Sequence, residues 1–475
     1  MKNKLITLVI LLLGVAGAKS QNTFVHERSH NYEWPTDSLV LKKLDQWQDQ
    51  KFGVIFHWGL YSVPGIVESW ALCSEDVDWI SRYGHTNYQE FKNWYWNGLS
   101  RQFNPVNFNP TQWADVMKQA GMKYMVFTTK HHDGFCMFDS KYTGFSIAQG
   151  PFKENPKSDV ARHVFEAFRK AGFMTGAYFS KPDWHNQDYW WDYFATPNRN
   201  VNYKIERHPE KWEAFKNFTY NQIEELMSGY GPIDILWLDG GWVSIRNKQD
   251  INMPRIANMA RERQPGILVV DRTISGRYEN YQTPERSIPE TQLPFPWESC
   301  ITLTTDWGWV KNAKYKTPNQ IISMLMEVVA KGGSLLLGVG PTADGIIEQP
   351  AVERLAEVGR WMQKNGEAIY NTRITSNYHS NNVWFTASKN GKTLYALYAL
   401  PEGEKIPASI EWEGNIPAKN SRIKLLASGQ KVKWAIKDNK VILTVPDKYV
   451  GGTESLAFRL EISDKSVSYT HLRAH

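Results

Sequence analysis

Several ionisable side chains stand where apolar runs stop. The run Ile235-Leu236-Trp237-Leu238 ends on Asp239, followed by Gly240 and Gly241. FGVIF ends on His57, MVFTTK on His131, His132 and Asp133, and ILVVD on Arg272. Glu298 sits in PWESC, and Glu68 and Trp70 follow the first of these runs. Any one of them has a plain structural reading, since Asp-Gly is a common turn pair and a lone histidine at a strand end is more often a hydrogen-bonded core group. Five runs punctuated in this way point to one shared site.

Three chemistries compete for that set. His57, His131, His132 and Asp239 have the types that ligate a metal. Against a metal, neither HxH nor HExxH spacing joins these residues, and adjacent histidines on a strand face opposite ways unless the strand has already ended. A nucleophilic Ser or Cys hydrolase is weaker still, because no G-x-S-x-G elbow is present. The third chemistry is glycoside hydrolysis, in which one carboxyl donates a proton to the leaving oxygen and an ionised partner attacks the sugar. Asp239 suits the nucleophile, held at a strand end with glycines that leave room for a ring. Glu298 suits the acid/base, because Trp297 offers an apolar wall that raises a carboxyl pKa. The histidines and Arg272 would then bond ring hydroxyls, with Trp70, Trp237 or Trp307 stacked on an apolar sugar face.

Such residues need a scaffold that brings strand ends together. Between about residue 50 and residue 365, apolar strand-like runs alternate with amphipathic helical segments such as VARHVFEAFRKAG and KWEAFKNFTYNQIEELMSGYG. That alternation predicts an α/β fold with a parallel sheet under helices, and its seven or eight units fit a TIM-like (β/α)8 barrel. Active sites of such barrels lie at the C-terminal strand ends. No G-x-G-x-x-G follows a strand, which weakens a dinucleotide fold. Beyond Gly366 the texture changes to short alternating runs (NVWFTAS, TLYALYAL, ASIEWEG, KVILTVP, SLAFRLEI), the pattern of a C-terminal antiparallel β-sandwich. Trp384, Trp412 and Trp434 within it are as easily core as glycan platform. The expected division is 1–20 as an export signal, 21–366 as the barrel, 367–463 as the sandwich and 464–475 as a tail outside the fold.

Composition narrows the partners. The 475 residues are 42% hydrophobic and 22% charged, with 21 Trp, 22 Tyr and 21 Phe, and the net charge of +6 is not gathered into runs. Nucleic acid is not an expected partner. MKNK, the apolar LITLVILLLGV and Ala16-Gly17-Ala18 read as a secretory signal, with Ala18-Lys19-Ser20 an equal cleavage site. The apolar run is short for a membrane span, so a secreted, periplasmic protein of a Gram-negative bacterium is expected, with no membrane insertion. Cys73, Cys136 and Cys300 are odd in number and lack C-x-x-C spacing, so neither a zinc site nor a disulfide framework is expected. Oligomeric state is not legible.

The ordered segments FGVIFHWGLYSVP, ESWALCSED, MVFTTKHHDGFCMFDS, DILWLDGGW, VVDRTISGRYENYQTPE, PWESCITLTTDWGW and GGSLLLGVGPTADGIIEQP resemble the α-L-fucosidases of glycoside hydrolase family 29. The resemblance implies an irregular (β/α)8 barrel with a β-sandwich, and metal-free, cofactor-free hydrolysis of terminal α-L-fucose with retention. It implies Asp239 as nucleophile and, through the W-E-x-C motif, Glu298 as acid/base, with Glu285 and Glu290 as nearby contenders. The implied fucose pocket is His57, Glu68, Trp70, His131, His132, Tyr178, Trp237, Arg272 and Trp307. YENYQTPE is similar to the subgroup that prefers α-1,3/1,4-linked fucose on oligosaccharides or glycoconjugates. A non-catalytic fucose-binding paralogue, or a glycosidase for a related sugar, is the alternative.

Overall fold

A computed structural model describes residues 32–73, 82–196, 198–418 and 421–461. The expected export signal and the tail at 464–475 lie outside the described residues. Seven strands form a wholly parallel sheet: β1 (Phe52–Phe56), β2 (Tyr124–Lys130), β3 (Met174–Ser180), β4 (Ile235–Asp239), β5 (Leu268–Asp271), β6 (Glu298–Thr302) and β7 (Ser334–Val339), in the order β5-β4-β3-β2-β1-β7-β6. The strands are buried on both faces almost throughout, which is why β1, β4, β5 and β7 read as nearly continuous apolar runs. Alternate residues divide between two cores. Ile55, Val126, Tyr178, Trp237, Val270 and Leu336 face an inner cluster. Val54, Phe56, Phe127, Phe179, Leu236 and Leu337 face an outer cluster shared with the helices.

The inner cluster is closed at one end by the helix Ser38–Gln50, an element absent from the sequence reading. Asp37 caps it by accepting from the backbone N–H groups of Leu39 and Val40, which would otherwise be orphaned. Its Val40, Leu44 and Trp47 enter the inner cluster, and Trp47 stacks on Tyr281 with ring centres 4.0 Å apart.

The expected eight-stranded barrel is not closed by regular strands. β5 and β6 are the two edges of the sheet, and the segment between them lies across the gap. Asn280 N donates to Val269 O (2.9 Å), Glu298 N to Gln282 O (2.7 Å) and Arg286 N to Cys300 O (2.9 Å). Isolated bridges pair Gln282 with Trp297 and Glu285 with Cys300. Pro284 has no N–H for a ladder, and Val269 N is satisfied by the Asn280 side chain instead of a carbonyl. The eighth position is therefore an irregular segment. It carries Glu285.

The C-terminal residues form two antiparallel sheets, a larger one built around Val383–Ser388, Thr393–Tyr398 and Leu456–Glu461, and a three-stranded one of Ser409–Glu413, Lys440–Thr444 and Trp434–Lys437. Phe385, Ile410, Trp412, Leu443 and Phe458 fill the space they share. Trp412 is fully buried there, so it is core. On Thr393–Tyr398, Leu394, Ala396 and Tyr398 face that core, while Tyr395 and Leu397 join the outer cluster of the parallel sheet. Cys73, Cys136 and Cys300 are buried and form no disulfide.

Candidate active site

The inward period of two continues past the strand ends. Ile55 leads to His57, Tyr178 to Ser180, Trp237 to Asp239 and Val270 to Arg272, each two residues on and so on the inner face at the C-terminal mouth. A cavity opens there, lined by His57, Glu68, Trp70, His131, His132, Trp237, Asp239, Trp242, Arg272, Glu285 and Trp307. Of the eleven residues singled out from sequence, nine line it; Tyr178 and Glu298 do not.

Arg272 organises the acids. Its Nη1 donates to Asp239 Oδ1 at 2.7 Å and its Nη2 to Glu285 Oε2 at 2.9 Å, while Nε donates to Thr283 Oγ1 at 3.0 Å. Tyr178 is fully buried behind the wall and donates its hydroxyl to Asp239 Oδ2 at 2.7 Å. Trp307 donates its indole N–H to Glu285 Oε1 at 3.1 Å. Two carboxylates thus share one planar, permanently charged fork, an arrangement a lysine could not reproduce.

β2 ends at Lys130, so His131 and His132 follow the strand, and both reach the pocket with ring centres 4.2 Å apart. Ser69 Oγ meets His131 Nδ1 at 2.6 Å, and Ser180 Oγ meets His132 Nδ1 at 2.8 Å, fixing each ring. Burial lowers the pKa of His131 to about 4 and pushes those of His57 and His132 well below the usual imidazole value. These rings are neutral near pH 7, so each can donate from one nitrogen and accept at the other. His131, His132 and Asp239 also offer ligand atoms within 4.8 Å of one another. The donor set fits a cation poorly. Asp239 already accepts from Arg272 and Tyr178, and the guanidinium charge opposes a second cation beside it.

Glu298 departs from the expected place. It is the first residue of β6, a layer below the mouth, and is fully buried. Its oxygens accept from Tyr124 Oη at 2.8 Å and Trp237 Nε1 at 3.1 Å. Burial raises its pKa to about 7, as the apolar-wall argument anticipated, but the group faces the barrel interior and not the cavity. Glu290 is exposed and outside the pocket; Glu285 alone of the three lines it. Glu68 lines the pocket beside Trp307, accepting from Gly308 N at 3.4 Å; it is 3% exposed, and burial raises its pKa to about 7.

The two glycines after Asp239 do not clear space for a ligand. Gly240 has φ +84°, and a Cβ there would run into Pro182; a Cβ on Gly241 would run into Thr273 and the carbonyl of Arg272. They let the end of β4 pack between the loops after β3 and β5. Trp242, three residues past the end of β4, also lines the pocket; the only sequence signal for it is an aromatic residue shortly after a strand end.

A family model described as Alpha-L-fucosidase matches residues 19–367. Tissue alpha-L-fucosidase of Homo sapiens is 30% identical over 458 residues, covering 91% of each chain. Plasma alpha-L-fucosidase of Homo sapiens is 29% identical over 432 residues, covering 86% of this chain and 87% of that one. Among solved structures, alpha-L-fucosidase isoenzyme 1 from Paenibacillus thiaminolyticus superposes with a TM-score of 0.74 at 30% identity, over 90% of this chain and all of that one. The Thermotoga maritima alpha-fucosidase in complex with fucose gives 0.70 at 25% identity, over 90% of this chain and all of that one.

Proposed function

The chain belongs to the alpha-L-fucosidase family, and from that premise we propose that it is an exo-acting, retaining α-L-fucosidase in which Asp239 is the nucleophile and Glu285 the acid/base. The observation that carries the reading is the Arg272 fork, which holds the Asp239 and Glu285 carboxylates on two nitrogens of one guanidinium at the wall of the pocket. Retaining enzymes need their carboxyls about 5–5.5 Å apart, whereas inverting ones leave about 6.5–9.5 Å for a water. A shared guanidinium suits the closer spacing. Glu298 is not given the acid role, because a proton donor must come within hydrogen-bond reach of the glycosidic oxygen and its oxygens are taken by Tyr124 and Trp237.

In the first step the ionised Asp239 attacks the anomeric carbon while Glu285, in its protonated form, gives its proton to the leaving oxygen, producing a fucosyl ester and a free alcohol. In the second, Glu285 takes a proton from water, which cleaves the ester and releases fucose with its original configuration. His57, His131, His132, Glu68, Trp70, Trp237 and Trp307 hold the sugar ring by hydroxyl bonds and stacking. No metal or cofactor is invoked. The substrate class is terminal α-L-fucose, α-1,3/1,4-linked on oligosaccharides or glycoconjugates, a preference resting on the YENYQTPE resemblance. The N-terminal sequence supports export, to the periplasm; no helix among the described residues is long and apolar enough to cross a membrane.

The test is product analysis on a fucosylated panel containing 3-, 4- and 2-linked fucose. Release of fucose, first seen as the α-anomer and abolished in Asp239→Ala and Glu285→Ala, supports the reading. Release of the β-anomer overturns retention, and release from 2-linked sugars overturns the linkage preference. Binding of fucose without release would identify a non-catalytic fucose-binding relative.

A further inference from the structure

Arg286 follows Glu285 in the chain and is exposed. Its φ is +50°, in the left-handed region that glycine adopts freely and long side chains rarely do. The backbone is fixed there, since Arg286 N donates to Cys300 O at 2.9 Å. The guanidinium carbon lies 5.7 Å from the ring centre of Trp307, the residue whose indole bonds Glu285. Its charge also reaches Glu68, where it counters part of the effect of burial. Arg286 therefore stands where the pocket wall meets solvent, on the side that carries Glu285.

The proposed reading gives the residues lining the cavity to fucose itself, so the unit to which fucose is attached lies outside it. The oxygen joining the two must come within roughly 2.6–3.2 Å of the acid/base, which brings the second ring over the residues beside Glu285. We propose that Arg286 recognises this second sugar, its guanidinium donating to ring hydroxyl or N-acetyl oxygens. The inference rests on the proposed role of Glu285. It makes Arg286 a specificity-determining residue: fucose attached to a hexose or N-acetylhexosamine is preferred over fucose attached to an aglycone without such oxygens. A second cation, Arg199, stacks over Trp70 at 4.8 Å and Trp242 at 5.3 Å, on the wall carried by the loops after β1, β3 and β4, and supplies the comparison.

The experiment measures kcat/KM of wild type, Arg286→Gly, Arg286→Lys and Arg199→Ala on a 3-fucosylated trisaccharide and on an aryl α-L-fucoside. Glycine removes the side chain while suiting the left-handed backbone, so the thermal midpoint should hold or rise. The expected result is a trisaccharide loss in Arg286→Gly about tenfold or more beyond the loss on the aryl fucoside, mainly through KM, with Arg286→Lys between because it lacks the planar fork. Equal losses on both substrates overturn the proposal, as Arg286 would then serve Glu285 and not the second sugar. So does an unaltered preference, or a preference lost only in Arg199→Ala. Wild type that hydrolyses neither substrate fails the underlying reading, which is a separate outcome.

Discussion

The indole Nε1 of Trp237 donates to Glu298 Oε1 at 3.1 Å, so the floor of the pocket is fastened to a carboxyl that the pocket does not reach. Trp237 in turn stacks on Tyr178 at 5.2 Å and lies under Arg272, whose guanidinium carbon is 4.3 Å from its ring centre. Glutamine at position 298 can accept from Trp237 and donate to Tyr124, so Glu298→Gln should keep at least a tenth of wild-type kcat/KM, while Glu298→Ala leaves Trp237 unbonded and loses much more. A thousandfold loss of kcat in Glu298→Gln, without loss of stability, would return the acid role to Glu298.

The same substitution has a pH signature. With its pKa raised from 4.5 to about 7, Glu298 is protonated in the folded protein where the unfolded chain has already released its proton. Stability from this group is present below pH 4.5 and is lost as pH rises towards 7, a change of roughly 3 kcal/mol. Denaturant titrations of wild type and Glu298→Gln should diverge in favour of the variant as pH rises through that window. Parallel curves would show that Glu298 titrates normally.

Histidine 131 works in the other direction. Its pKa falls from 6.5 to about 4 on folding, so between those values the unfolded chain holds the extra proton and stability falls as pH is lowered. Replacing it with glutamine should flatten the acid side of the stability curve, measured as thermal midpoint from pH 6.5 to 4. An unchanged slope would mean that the ring protonates in place.

Arginine 272 should not tolerate lysine. A single ammonium cannot reproduce the fork that holds Asp239 and Glu285, and loss of one charge-assisted bond is worth about 1.5–3 kcal/mol. Arg272→Lys is therefore expected to lower kcat/KM by roughly 10- to 100-fold on aryl and sugar leaving groups alike. A loss confined to KM would make Arg272 a sugar-binding group only.

Glycine 241 tests the packing account of the strand end. A Cβ there meets Thr273 and the Arg272 carbonyl, and relieving such a clash should cost about 1–3 kcal/mol while displacing Arg272. Gly241→Ala should lower both the thermal midpoint and kcat. Loss of activity with an unaltered midpoint would favour a glycine kept open for the sugar.

The residues that were legible from sequence share a cause. His57, Asp239 and Arg272 each continue the inward alternation of an apolar strand, so the strand announces them. Glu298 also adjoins an apolar run, but it begins β6 instead of ending it, and a carboxyl flanked by Trp297 and Ser299 gives no sign of which. Glu285 has no run to mark it, because it lies in the irregular segment that replaces a regular strand. The helix Ser38–Gln50 escaped notice since only Val40, Leu44 and Trp47 are buried, too sparse a stripe to stand out among its charges. The strand-helix alternation and the antiparallel region were legible because each depends on periodicity. Closure of the sheet was not, because it depends on the polar details of one connection.

The strand Thr393–Tyr398 gives one face to each of two cores, and the Trp361 indole donates to Ser455 O at 2.8 Å beside it. The C-terminal sheets are thus not an accessory that can be shed or exchanged. Removing them would uncover the helix Pro318–Ala330, which packs between them and β7. A donor module from another protein would need to match the alternation on both faces at once. The strand is a two-sided lock, and a change on either face is felt by the core on the other.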